Sequence, residues 1–309
     1  MVTGSSGYLG EALVRVLTDR GWDATGIDLK PSPTTSVLGS VTDRHLVRRC
    51  LGRADTVLHT ATLHKPHLRS HGRAAFVDTN VVGTLTLLEE AARADVRSFV
   101  FTSTTSVYGA SMRSAPGEPA VWVTEDTPAI PRNVYGATKV AAEHLCRLVH
   151  QDQGLPVVVL RTARFFPEAD DEDDVRRRYD DGNVKANEFL YRRVDLQDAV
   201  EAHLLAAGRA QHLGLGCFVI SATTPFSRAD VAELGRDAPA VVRRLFPDYP
   251  DEYDQRGWAM FPRLDRVYDN TRARSQLGWS PHYDFRRVLD RLQAGADPRS
   301  PLARAVAGG

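Results

Sequence analysis

The stretches TVLHT (56–60), SFVFT (98–102) and PVVVL (156–160) are short and almost wholly apolar, and longer segments with apolar residues every three or four positions separate them. A strand with one wet face alternates apolar and polar residues. An unbroken apolar run predicts burial on both faces, as in a parallel sheet covered by helices. The periodic segments supply the covers. They are Glu11–Asp19 (Ala12, Leu13, Val16 and Leu17 on one face), Asp43–Leu51 with Thr42 as its cap, Asn80–Arg93, and Tyr135–His150. Short strands at Val2–Thr3 and Ala24–Asp28 complete the alternation. The pattern predicts a doubly wound α/β domain of the Rossmann type over residues 1–161.

Beyond Arg161 the pattern loosens. Residues 168–181, EADDEDDVRRRYDD, carry few apolar side chains and predict a solvated loop. Helices at Asp195–Ala207, Asp230–Phe246 and Asn270–Leu277, with a strand at Cys217–Ser221, make 162–309 a smaller substrate-binding region interleaved with the last sheet elements. Only Met1 and Val2 precede the first glycine-rich turn, where a central strand usually takes about five residues. That strand is either very short or the chain starts late.

Composition narrows the function classes. Lys+Arg and Asp+Glu are both 39, so no global field holds nucleic acid or an anionic membrane. With 42% apolar and 25% charged residues the chain reads as an ordinary globular protein. No apolar run is long enough to span a bilayer, and no basic-then-apolar leader opens the chain. Cys50, Cys146 and Cys217 form neither a CxxC pair nor a disulfide framework, which points to the cytoplasm.

Two patterns carry chemistry. TGSSGYLG places Gly4, Gly7 and Gly10 where a strand gives way to a helix, with Tyr8 and Leu9 between the last two glycines. Glycine lets the backbone turn tightly and approach a pyrophosphate, and the helix start offers unpaired N–H groups. Asp28 closes the second strand eighteen residues past Gly10. A carboxylate there accepts hydrogen bonds from ribose hydroxyls and repels a 2′-phosphate, so the expected cofactor is NAD. The second pattern is YGATK, with Tyr135 and Lys139 four apart on one helix face. A phenol titrates near 10, and a neighbouring ammonium is expected to lower that toward the range of a working base. Upstream, FTSTTSVYG ends a strand in hydroxyls, with Thr104 placed to bond a substrate oxygen beside Tyr135.

TGSSGYLG, Asp28, HTA at 59–61, Asn80 in NVVGT, FTSTTSVYG and YGATK together resemble an extended short-chain dehydrogenase/reductase of the NAD-dependent epimerase/dehydratase family, which includes the UDP-galactose 4-epimerases. The likeness is strong through about residue 161 and looser afterwards. It implies that Tyr135 moves the hydroxyl proton, Lys139 holds the nicotinamide ribose, and Thr104 is the catalytic hydroxyl. It also puts Ala61 and Asn80 with the cofactor set. It implies a homodimer through the helices that carry Asn80 and Tyr135.

Departures bear on the substrate. Thr104-Thr105-Ser106 stands where sugar dehydratases carry Thr-Asp-Glu, which argues against elimination of water. Arg164 replaces the Asn of Arg-x-x-Asn, Ala259–Pro262 replaces Arg-x-Gly-Asp with Arg263 and Arg266 close by, and Ser40 replaces an adenine-contacting acid. A nucleotide handle is therefore in question. Arg164 either meets a substrate carboxylate or pairs with the nearby acids, and Thr105 is a further substrate candidate. His64, His67 and His71 have ligand-like spacing, but they follow a strand on the cofactor side. They read as a loop lining the pocket, with His64 near a sugar and no metal. The leading expectation is epimerisation of a sugar-like secondary alcohol. The alternatives are a dehydrogenase of a small sugar, uronate or polyol, and a non-catalytic NAD-binding scaffold.

Overall fold

The computed structural model describes residues 1–170 and 172–307. In chain order the elements are β1 (Val2–Thr3), α1 (Tyr8–Asp19), β2 (Gly26–Asp28), β3 (Val37–Leu38), α2 (Arg44–Leu51), β4 (Thr56–His59), α3 (Arg73–Val77), α4 (Gly83–Arg93), β5 (Ser98–Thr104), β6 (Val121–Val123), α5 (Val134–Gln153) and β7 (Val157–Thr162). There follow α6 (Asp173–Arg178), α7 (Asp181–Glu188), α8 (Leu196–Leu213), β8 (Leu215–Ile220), α9 (Val231–Leu234), α10 (Ala238–Leu245), α11 (Tyr249–Arg256), β9 (Arg266–Tyr268), α12 (Thr271–Leu277), α13 (Phe285–Gln293) and α14 (Pro301–Ala307).

Seven strands form one parallel sheet in the order β3-β2-β1-β4-β5-β7-β8. The unbroken apolar runs are buried on both faces, as their composition requires. Phe99, Phe101, Val157 and Val159 pack with α2, α4 and α5. Val100, Val158 and Leu160 point the other way, into a core shared with α1, α8 and α14. Each such fully buried side chain contributes about 1.5–3 kcal/mol. The two-residue β1 is held from both sides, with Val2 opposite Gly26 and Leu58. His59, at the end of β4, is buried between Thr3 Oγ1 (2.7 Å) and Thr84 Oγ1 (2.9 Å). Thr84 donates to the Asn80 carbonyl, so the imidazole donates to Thr84 and accepts from Thr3. Burial keeps it neutral, its pKa pushed well below the usual value.

Four readings of the sequence change. The cap of α2 is Asp43, whose carboxylate accepts from the His45 and Leu46 N–H groups; Thr42 bonds Ser40 instead. The helix with Asn80 begins earlier, at Arg73, and passes through a π turn at Asp78–Val82. The charge-rich stretch holds a helix, α6, and buries Asp170. The helix read over Asp230–Phe246 is broken between α9 and α10. At the break Gly235 lies so close to the Glu118 carbonyl that a Cβ would sit 1.9 Å from it.

The second half adds to the first rather than standing apart. β8 extends the main sheet, and β9 pairs in parallel with β6, Arg266 opposite Val121. A third core, built mainly from Val184–Leu292 with Ala120, fills the space beneath this two-stranded sheet. Among the described residues no helix is long and apolar enough to cross a membrane.

Candidate active site

The strand order reverses between β1 and β4, the place where open parallel sheets bind ligands at their carboxyl ends. A cleft of about 580 Å³ lies there, lined from the ends of β1, β2, β4, β5 and β7 and from the second half of the chain.

Its first wall is the glycine turn. Gly4 has φ +72° and sits against the following loop, where a Cβ would be 2.7 Å from the Ala61 nitrogen. A Cβ on Gly10 would be 2.0 Å from the Gly4 carbonyl oxygen, so only glycine lets α1 start this close to β1. The first bond of α1 runs from the Glu11 N–H to the Gly7 carbonyl (2.8 Å). The N–H groups of Tyr8, Leu9 and Gly10 therefore precede any intrahelical acceptor, and all three residues line the cleft. Asp28 accepts from the Ser6 N–H (3.0 Å) and the Lys30 N–H (2.9 Å), which fixes its carboxylate at the rim with lone pairs to spare. Open donors beside a fixed carboxylate fit a dinucleotide: phosphates on the helix start, ribose hydroxyls on Asp28.

The second wall joins β5 to α5. Asn133 caps α5 by accepting from the Gly136 N–H (2.9 Å). Gly136 lets this helix press on the turn after β5, since a Cβ would be 2.8 Å from the Ser106 carbonyl oxygen. Tyr135 and Lys139 thereby face Thr104 and Thr105 across the cleft lining. Burial pushes the Tyr135 phenol up to about 12, and a hydrogen bond with Thr104 pulls the other way. Burial pushes Lys139 down to about 7, against the raising effects of Cys146 and Glu143. Its Nζ donates to the Thr102 carbonyl (2.7 Å) and stands 4.4 Å from the Phe101 ring centre. The spacing suggested a phenol lowered by Lys139; burial moves it the other way in the chain by itself. Desolvation dominates both groups.

Every candidate residue lines the cleft except Ala61 and Asn80. Ala61 stands behind Gly4. The Asn80 side chain is buried: it accepts from the Thr62 hydroxyl (3.0 Å) and the Leu63 N–H (2.8 Å), and donates to the Leu63 carbonyl (2.9 Å) and Thr138 (3.0 Å). It positions the loop after β4 against α5 and reaches no cleft surface. His64 lines the cleft with its ring 5.1 Å from that of Phe166 and nearly parallel to it. The His67 ring accepts from the His64 N–H (3.0 Å), and His71 bonds Ser70 (2.9 Å). Among the described residues no three His, Cys, Asp or Glu side chains are grouped to hold a metal.

Arg164 lines the cleft, but its guanidinium is engaged with Asp170 (2.9 Å) and lies 3.4 Å from Glu188. Glu188 is buried and also meets Arg192 (2.9 Å) and Arg193 (2.7 Å). Burial alone would raise its pKa, but Arg192, Arg164 and Arg193 outweigh that and hold it at about 2. Sequence reading missed Arg192, Tyr268 and Met112, and noted Arg266 only as lying near the absent Arg-x-Gly-Asp; all four also line the cleft. A second signal for the β9 pair was the alternation in RVY, too short to stand out beside a loop.

Comparison with known proteins agrees with this geometry. Low-salt glycan biosynthesis protein Agl12 of Haloferax volcanii is 34% identical over 181 residues, covering 54% of this chain and 56% of that one. Over that alignment the chain spans about half the length of its relative. A UDP-glucose 4-epimerase of Lactobacillus helveticus is 24% identical over 92% of both chains. Among solved structures, a short-chain dehydrogenase/reductase superfamily protein from Agrobacterium tumefaciens with bound NAD is 25% identical, with a TM-score of 0.67 over 98% of this chain and 96% of that one. The profile of the NAD dependent epimerase/dehydratase family matches residues 1–212, more than half of the chain, and the chain belongs to that family, with NAD as its dinucleotide.

Proposed function

We propose that the protein is an NAD-linked epimerase-type oxidoreductase acting on a secondary alcohol of a sugar or sugar nucleotide. The observation that carries this reading is the convergence of Thr104, Tyr135 and Lys139 on the cleft that also holds the glycine turn and Asp28. Bound NAD supplies the chemistry of accepting a hydride from the alcohol carbon and, in an epimerase, returning it. Gly4, Gly7, Tyr8, Leu9, Gly10 and Asp28 would hold it, and Lys139 would bond its nicotinamide ribose. The chain's own part is the proton. Thr104 orients the substrate hydroxyl and the Tyr135 phenol. The Tyr135 oxygen takes the hydroxyl proton as the carbonyl forms and gives it back on return. A phenol held near 12 is almost wholly protonated at neutral pH, so little phenolate is there to act as the base. A protonated Lys139, together with the positive charge that a bound nicotinamide would bring, would lower it.

The hydroxyl-only loop Thr104-Thr105-Ser106 favours this over dehydration, which needs an acid and a base there. A second reading, a dehydrogenase of a small sugar or uronate, draws support from the arginine-rich second half of the lining. Tyr135→Phe tests the common core: NAD binding is kept and turnover falls at least about a thousandfold. Undiminished turnover would refute the role given to Tyr135. Free NADH accumulating in step with product marks a dehydrogenase, whereas isomer formation by NMR without NADH release marks an epimerase.

We also read the assembly as a homodimer through the α3–α4 and α5 helices, supported by the exposed Val77, Val82 and Leu148. Sedimentation at low concentration tests it. Three unbridged cysteines suit the cytoplasmic setting read from the sequence.

A further inference from the structure

We infer that a second cavity, behind the dinucleotide cleft, is a binding site for a neutral molecule built on an aromatic ring, and that filling it tightens the binding of NAD. The cavity holds about 490 Å³ between α1, α7, α13 and α14, within the range of small-molecule sites. Nothing in the reaction proposed above uses it.

Empty space inside a protein tends to close, because side chains gain contacts by moving in. Here the walls are tied down from outside the cavity. Asn187, on α7, donates to the Ala259 carbonyl (2.9 Å) and accepts from the Tyr253 hydroxyl (2.9 Å), and Asn183 accepts from the Ala259 N–H (3.0 Å). Arg256 donates to the Leu292 carbonyl (2.7 Å), which joins α11 to α13. Trp258 is thereby held against α7, where a Cβ on Gly182 would lie 3.0 Å from the indole. The lining decides what fits. Phe165, Phe189, Trp258, Val288 and Leu292 bring apolar surface from four separate stretches of chain. The charged groups at the cavity are already matched within the chain. Lys185 pairs with Asp181, Arg299 with Asp297 (2.7 Å) and Arg193 with Glu188 (2.7 Å). Asp195 accepts from the Gln197 N–H (2.8 Å) and the Ser300 N–H (3.1 Å). A charged occupant would leave water without meeting a counter-charge, so the fit is to a neutral one. A flat ring can stack on, or meet edge to face, the three aromatic side chains.

One wall is shared with the cleft. The rings of Tyr8 and Phe165 lie within 9° of parallel, with centres 6.4 Å apart, and both residues line both cavities. Tyr8 opens α1, and its N–H is one of the open donors that face the cleft. Its hydroxyl donates to the Ala303 carbonyl (3.1 Å), and Ala303 lines the second cavity. A molecule packed behind these two rings holds the start of α1 in place. Less ordering is then left for the dinucleotide to bring about, and it binds more tightly. By linkage the dinucleotide tightens the occupant to the same degree.

The probe is N-phenyl-1-naphthylamine, which is neutral and fluoresces in apolar surroundings. It should bind the full chain saturably at a single site, with NAD present or absent. Its sulfonated counterpart, 1-anilinonaphthalene-8-sulfonate, has the same rings and a charge, and should bind at least about tenfold more weakly. Saturating probe should lower the Kd of NAD, read by calorimetry, about fivefold, and saturating NAD should lower the Kd of the probe by the same factor. Ala186 and Val288 are buried in two different walls of the cavity. Ala186→Phe and Val288→Phe fill it, so each should weaken the probe at least about tenfold and remove its effect on NAD. Should neither variant fold, the wild-type measurements with NAD and with the sulfonate decide alone. No saturable binding, displacement of the probe by NAD, an unchanged Kd of NAD, equal affinity for the sulfonate, or undiminished binding in a folded variant overturns the inference. So does a probe affinity that falls as the protein is concentrated, which would give the cavity to a second copy of the chain. None of these measurements uses turnover, so their failure leaves the role of Tyr135 to its own test.

Discussion

Lys139 shows how burial and function compete at a single side chain. The folded chain releases its proton near 7, against 10.5 for an ordinary lysine. Between these values the unfolded chain holds a proton that the folded chain lacks, so stability rises with pH by up to about 1.4 kcal/mol per unit. Below 7 both states are protonated and the cost of burying the ammonium is constant. Lys139→Met should therefore stabilise the protein at pH 7 and flatten its pH dependence from 7 to 10, as read by denaturant titration. It should also abolish turnover. Glu188 is the opposite case. With its pKa held at about 2, its ionic contribution is present above the usual carboxylate range and is lost as pH falls through 2. Glu188→Gln leaves three arginines short of a buried counter-charge and should cost roughly 3–5 kcal/mol in denaturant unfolding at pH 7. The same triad explains why Arg164 was ambiguous in the sequence. Asp170 follows it closely in the chain, but Glu188 reaches it only through the folding of α7.

At the scale of elements, the strands and most helices were legible because their apolar periods are strong, while their ends were not. Thr42 and Asp43 are both acceptable caps by residue type, and only the backbone geometry decides between them. Asp43→Ala should cost about 1 kcal/mol of stability and Thr42→Ala much less. Gly235 breaks the α9–α10 segment for a reason no local pattern contains, the close passage of the Glu118 carbonyl. Asn80 illustrates the same limit. Its family position suggested the cofactor, whereas the π turn aims it into the wall behind the cleft. Asn80→Ala removes four hydrogen bonds around Leu63 and Thr138, and should destabilise the loop after β4 by about 2–3 kcal/mol. Hydrogen exchange at residues 60–64 would report the loosening.

Across the whole molecule, the first and last turns of the described chain meet. The Tyr8 hydroxyl donates to the Ala303 carbonyl (3.1 Å), and Ala303 and Val306 join the core beneath α1. Ala303→Asp buries an unpaired carboxylate at a site only 4% exposed, so it should lower both stability and NAD affinity. Calorimetry against NADH titration would separate the two. The sequence by itself determined the parallel sheet, the glycine turn, Asp28, and the Tyr135–Lys139 pair with Thr104. The apolar runs, the glycine turn and the four-residue step from Tyr135 to Lys139 each lie within one strand, turn or helix, and such spacing is written locally. Tertiary structure alone decided that Arg164 is engaged, that Arg192 and Arg266 share a wall, and that burial governs the charge of Lys139 and Tyr135. Those outcomes depend on which distant segments exclude water from one another, and hydrogen-bond supply and desolvation are properties of the packed whole.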